Sequence, residues 1–252
     1  MTGAARRLGD RTSPEIAAAD RPLVIVPVGA VEQHGPHLPL DTDTILASAV
    51  AEGAAARVDG ALLGPTLGVG CSSHHLAFPG TVSLDAPTFV ALVVDVCRSL
   101  HRSAGAILLL NGHGGNRPPL GVAAGQLADE GIRVLTLTYW ELLEDVVDDA
   151  LGDDAPTACG HACALETSLM QFLEPGSVRE GLIPPGATPP TRPDPHMFSK
   201  DPVRVVRPFE EISPDGVIGR PSLASAELGQ RLYEAAVERT AAETRRLLGG
   251  DA

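Results

Sequence analysis

Two short runs in this chain are apolar throughout: LVIVPVG (residues 23–29) and AILLL (residues 106–110). Such a run suits a strand buried on both faces, as in a parallel sheet covered by helices. Each breaks into a polar loop that carries glycine, EQHGPHLPLDTD (32–43) after the first and NGHGGN (111–116) after the second. Helical spacing follows over 42–58 and 118–129, with DTDT supplying capping side chains at the first helix. Further strands are predicted within 61–70, a short one running into a glycine-rich loop, and at 133–140. Further helices are predicted at 86–104, 141–150, within 160–173, and from about 223 to 248. The alternation predicts an α/β chain forming a single domain over 1–252, with a mostly parallel sheet and helices on both faces. Residues 184–214, rich in proline and without period, are expected to be irregular, as a lid or a subunit contact.

The net charge is −13 and Lys200 is the only lysine. That balance argues against nucleic acid or an anionic membrane as a partner. No apolar run approaches the ~20 residues of a membrane span. The opening MTGAARRLGD has no apolar core of a secretory signal, so a cytoplasmic location is expected. The four cysteines lack C-x-x-C spacing and are expected as small buried residues.

In α/β folds ligands sit beyond the carboxyl ends of the strands, where both polar loops lie. Glu32 and His34 are two residues apart and can face the same side of a loop to serve one metal or two. Asp43 has an N-cap as its ordinary job, yet one carboxylate can bridge two cations. His113 stands between glycines that let the backbone turn sharply. Imidazole with carboxylate suits Zn²⁺, Mn²⁺ or Fe²⁺. Each residue alone also reads as an ordinary loop or capping residue, and spacing leaves both readings open. Glu166, five residues past His161, sits in the first turn of an apolar helix, where the helix dipole or a metal would hold its carboxylate. Asp41 reads as a capping carboxylate and His37 as structural. Ser72, Ser73, His74 and His75 line a further loop. There is no G-x-S-x-G elbow and no phosphate-binding glycine motif.

Taken in order, PVGAVEQHGPHLPLDTD, FPGTVSL, NGHGGN, TYW, HACALETSLM and GVIGRPSLASAELG resemble the creatininase family of amidohydrolases, over residues 23 to 232 or so. The resemblance implies a three-layer sandwich around a parallel sheet, hexameric assembly, and two divalent metal ions per subunit. It also implies hydrolysis of amide bonds that are mostly not ordinary peptide bonds, in a small-molecule substrate. Carried over by motif, Glu32, His34, Asp43 and His113 match metal ligands, with Asp43 the bridge, and His161 matches an acid/base histidine. Ser73, His75 and Trp140 are expected to contact substrate, and N–H groups near Ser72 and Ser73 to stabilise an oxyanion.

Two departures stand out. Creatininase has tyrosine and a ligating glutamate after the NGH histidine, where this chain has Gly114 and Gly115; Glu166 is expected to supply the lost carboxylate. A family tryptophan is replaced by Thr157, which disfavours creatinine itself. Alternatives are a creatininase-related peptidase of mycofactocin maturation, whose likeness centres on the EQHGPHLPLDTDT loop, a formamide deformylase, and a metal-stabilised assembly subunit without turnover.

Overall fold

The computed structural model describes residues 6–184 and 208–249. Four parallel strands form one sheet: β1 (Leu23–Val28), β2 (Leu62–Leu63), β3 (Ala106–Asn111) and β4 (Val134–Thr138), in the order β2-β1-β3-β4. The main helices are α1 (Thr42–Ala55), α2 (Ala86–His101), α3 (Arg117–Asp129), α4 (Glu144–Leu151), α5 (Ala164–Leu173) and α6 (Ala226–Gly249). Strand side chains alternate between two cores. Leu23, Ile25, Leu108 and Leu110 pack with Leu46 of α1, Val147 of α4, Leu169 of α5 and Leu232 of α6. Val24, Val26, Ile107 and Leu109 pack with Phe89 and Val93 of α2 and Leu120 and Leu127 of α3. The sheet is therefore covered on both faces, as its unbroken apolar runs predict.

Pairing from Leu23↔Ala106 to Val28↔Asn111 brings β1 and β3 to an end side by side. After β1 the chain crosses to β2 on one side; after β3 it crosses to β4 on the other. The order reverses between β1 and β3, and the two polar loops leave from that switch point.

Several elements are shorter than predicted. The second strand shrinks to Leu62–Leu63, because Gly64 and Pro65 break the ladder and Pro65 has no N–H to donate. The chain still tracks β1 through single bonds, Gly64 N–H to the Ile25 carbonyl and Leu67 N–H to that of Pro27. The strand at 133–140 ends at Thr138, and a tight turn over Tyr139–Leu142 delays α4 to Glu144. Of the proline-rich stretch, residues 185–207 lie outside the described residues. Beyond them a single turn, Phe209–Ile212, buries the Phe209 ring 4.1 Å (centroid to centroid) from that of His75. No helix among the described residues is long and apolar enough to cross a membrane.

Gly112 shows how closely β3 approaches α1. A Cβ there would stand 2.6 Å from the Asp43 carbonyl oxygen and 2.9 Å from Ala47 Cβ. Gly112→Ala is expected to cost roughly 1–3 kcal/mol, as overpacking does. A lowered urea midpoint checks this, and an unchanged midpoint contradicts it.

Candidate metal centre

Glu32 and His34 arrive on the loop after β1, His113 on the loop after β3, Asp43 in the first turn of α1, and Glu166 in the first turn of α5. The structure brings all five together. His34 Nε2 lies 3.1 Å from Asp43 Oδ1 and 3.9 Å from Glu166 Oε1. His113 Nδ1 lies 3.0 Å from Asp43 Oδ2 and 3.2 Å from Glu32 Oε1. His161 Nδ1 is 3.7 Å from Glu32 Oε1. Asp43 thus faces one histidine with each oxygen, the geometry of a bridging carboxylate.

The outer nitrogens decide what the inner ones can do. A main-chain carbonyl only accepts, so each ring nitrogen bonded to one carries the proton. His34 Nδ1 donates to the Glu32 carbonyl at 3.2 Å, His113 Nε2 to that of Cys71 at 3.0 Å, and His161 Nε2 to that of Gln33 at 2.8 Å. Three imidazoles therefore turn their other nitrogen toward shared carboxylates. This is how metal-ligating histidines are held.

Burial alone would strip these histidines of charge, but the carboxylates reverse that. Asp43, seconded by Glu166 and Glu32, raises His34 to about 10. Glu32 and Asp43 hold His113 well above its ordinary value. Desolvation pushes Glu32 and Asp43 up, yet the facing histidines bring both below the usual carboxylate range. Burial, with the nearby Cys163 thiol, raises Glu166 well above that range. His161 is lowered to about 4, by burial first and then by His34.

Buried Glu32 Oε2 has no hydrogen-bond partner among the described residues, and Asp43 Oδ2 faces the His113 ring nitrogen at 3.0 Å. Buried carboxylates crowded against imidazole nitrogens need either protons on those rings or a cation between them, so the donors fit divalent metal. Three groups have donor atoms within 4.8 Å of one another: Glu32–His34–His161, Glu32–His74–His113 and His34–Asp43–Glu166. Only His74 lies outside the expected site; its ring stacks on that of His113 at 5.8 Å. Nothing in HH distinguishes it from a structural pair.

Other expectations change. Asp43 does not cap α1, and Asp41, at the N-cap, is exposed and makes no side-chain cap bond; the helix start is held by Thr42 Oγ1 on the Pro39 carbonyl instead. Glu166 does both jobs: one oxygen accepts from Cys163 N–H at 3.1 Å and the other faces His34. His37 is buried against Thr167 Oγ1 at 2.9 Å, a structural placement. A Cβ on Gly115 would press on the Cys71 carbonyl and stand 2.5 Å from His113 Nε2, so the loop as folded has no room for a side chain there.

A cavity of about 410 Å³ opens onto the cluster, bounded by Glu32, Asp43, His113, His161 and Glu166 and walled by Trp140 among others. Ser73 is exposed and lies outside this lining, because its turn points it to the surface; His75 is buried beside Glu32 and is also outside the lining. Ser72 N–H is already donated to Ser83 Oγ at 2.8 Å, so it is not free for an oxyanion. Cys159 is exposed on the cavity wall rather than buried; the other three cysteines are buried.

The family model "Creatininase: Creatinine amidohydrolase" matches residues 9–244. The chain belongs to the creatininase family. This family member is 35% identical over 233 residues to the mycofactocin precursor peptide peptidase of Mycolicibacterium smegmatis, covering 90% of this chain and 85% of that protein. It is 33% identical over 246 residues to the creatinine amidohydrolase of Pseudomonas putida, covering 88% of each. A solved structure titled "Creatininase Mn" superposes with a TM-score of 0.79 at 31% identity, covering 96% of this chain and 98% of that one. The likeness to the peptidase therefore extends far beyond the loop at 32–43.

Metal added to the chelator-stripped protein at pH 7 is expected to release protons, because His34 and His113 must give theirs up to coordinate. Calorimetry in buffers of differing ionisation enthalpy measures this; no release contradicts it. In the metal-free protein His34 holds its proton more tightly folded than unfolded. Its stabilisation is full below pH 6.5 and is lost as the pH rises toward about 10. The urea midpoint is expected to fall across that window, and a flat profile would exclude this contribution.

Proposed function

We propose that this creatininase-family amidohydrolase cleaves an amide C–N bond at a centre of two divalent metal ions. The observation that carries this is the set of three imidazoles, each pinned outward by a main-chain carbonyl and turned inward to shared carboxylates. Glu32 and His113 would hold one cation, His34 and Glu166 the other, with Asp43 between them. Zn²⁺, Mn²⁺ and Fe²⁺ all suit these donors. Bound there, the cations supply Lewis-acid polarisation of the scissile carbonyl and acidify water.

His161 moves the proton. Its Nε2–H is committed to the Gln33 carbonyl, so transfer runs through Nδ1, which faces the cluster. Through Nδ1 it acts first as base and afterwards returns the proton to the departing nitrogen.

The substrate reading is a small-molecule amide, non-peptidic or cyclic. Peptide trimming is the second reading. It is favoured by a cavity with more room than a single small ring needs and by the wall near Thr157, where Ala155 and Pro156 stand instead of an aromatic side chain. Creatinine, small cyclic amides, formamides and short peptides assayed side by side separate these. Hexameric assembly and a cytoplasmic location remain part of the proposal; exposed Leu76 and Val82 offer apolar surface for a subunit contact.

Two variants test the assignments. Glu166→Gln keeps an acceptor for Cys163 N–H but loses the carboxylate, and is expected to drop from two metals to one with loss of turnover. Full metal content by elemental analysis would remove Glu166 from the ligand set. His161→Ala is expected to lose about 10²–10⁴ in kcat with metal retained. Wild-type turnover removes it from the mechanism, and lost metal makes it a ligand.

A further inference from the structure

Gln33, between two expected ligands, is 5% exposed. Its side-chain oxygen accepts from Gly35 N–H at 2.9 Å, and its side-chain nitrogen donates to the Gly216 carbonyl at 3.1 Å. Reversing the amide would set N–H against N–H at Gly35 and oxygen against oxygen at Gly216, so its orientation is fixed by two main-chain groups. The approach is close: a Cβ on Gly216, whose φ is +76°, would run into the Gln33 amide. Gly35 also has a left-handed φ, +63°. Both glycines let the backbone close around this amide.

The same fixed nitrogen lies 3.0 Å from His75 Nδ1. Because it can only donate, His75 Nδ1 must accept, and the proton of His75 sits on Nε2. That N–H points to the centre, 3.5 Å from Glu32 Oε1, with no hydrogen-bond partner among the described residues. His75 is thus the reverse of His34, His113 and His161, whose outer nitrogens donate to main-chain carbonyls and leave the inner ones for the centre. It is also absent from all three groups able to hold a metal. The main chain of Gln33 meanwhile takes the His161 Nε2–H. One residue therefore sets two histidines to opposite polarity.

We propose that Gln33 is a positioning residue that fixes His75 as an N–H donor toward the Glu32 carboxylate and keeps it out of the metal's coordination. His75 then presents an N–H to Glu32 Oε1 at 3.5 Å, where it was expected to meet substrate. The role rests on the metal-centre reading above, but the proton position in His75 does not depend on any hydrolysis.

The test is ¹⁵N-imidazole NMR of the zinc-loaded full chain, with His75 assigned by comparison with His75→Gln. The expected result is an unprotonated Nδ1 and a protonated Nε2 that zinc does not shift as a ligand. A protonated Nδ1, or His75 bound to zinc, overturns the proposal. Gln33→Glu supplies the second arm: a carboxylate still accepts from Gly35 N–H but cannot donate to His75. The His75 proton is expected to move to Nδ1, and kcat to fall about 10–100-fold with KM nearly unchanged, in the range of lost ligand-supporting contacts. A folded Gln33→Glu protein with the wild-type His75 tautomer overturns the proposal. If that variant does not fold, the wild-type spectrum still decides. An inactive wild-type protein with the expected tautomer would reject the hydrolase reading alone.

Discussion

The centre depends on hydrogen bonds from three imidazoles to three main-chain carbonyls. A free imidazole can rotate and exchange tautomers, so a histidine that serves a metal or moves a proton needs its far nitrogen held. Here the holding groups are the carbonyls of Glu32, Cys71 and Gln33. Two of the three belong to the loop that also carries Glu32 and His34, which makes that loop its own scaffold. A neutral hydrogen bond contributes only about 1 kcal/mol to stability. Its larger effect is directional, since it dictates which nitrogen faces the carboxylates.

That directional control works because the loops cannot drift. β1 and β3 end in register, the order of the sheet reverses between them, and Gly112 lets β3 approach the first turn of α1 closely. The resulting site is buried and rich in charge. Without metal, protons on His34 and His113 balance Glu32 and Asp43; with metal, cations take their place. Buried Glu32 Oε2, without a hydrogen-bond partner among the described residues, marks where the proton-balanced state falls short. Metal binding is thereby coupled to folding and to pH through the same few atoms.

Much of this was legible in the residue pattern. Apolar runs with no polar face left only a sheet covered on both sides, and the polar loops after them fell at the strand ends. The five expected ligands do meet, although spacing alone left a metal site and ordinary loop polarity equally open; the family motifs tipped the balance. Less was legible where tertiary contacts decide. Asp41 and Asp43 are both helix-start carboxylates in sequence, and only packing shows that one faces solvent and the other the cluster. Ser73 and His75 share a turn, which sends one side chain to the surface and the other beside Glu32. His74 and Gln33 carried no clear signal, because His74 meets the His113 ring and Gln33 is fixed partly by Gly216, both far away in sequence.

The central claim is that these donors form a binuclear metal site. Elemental analysis of the purified wild-type chain after equilibrium dialysis against divalent metal at neutral pH tests it most directly. The account predicts two bound ions per chain. A folded protein that binds none would contradict it.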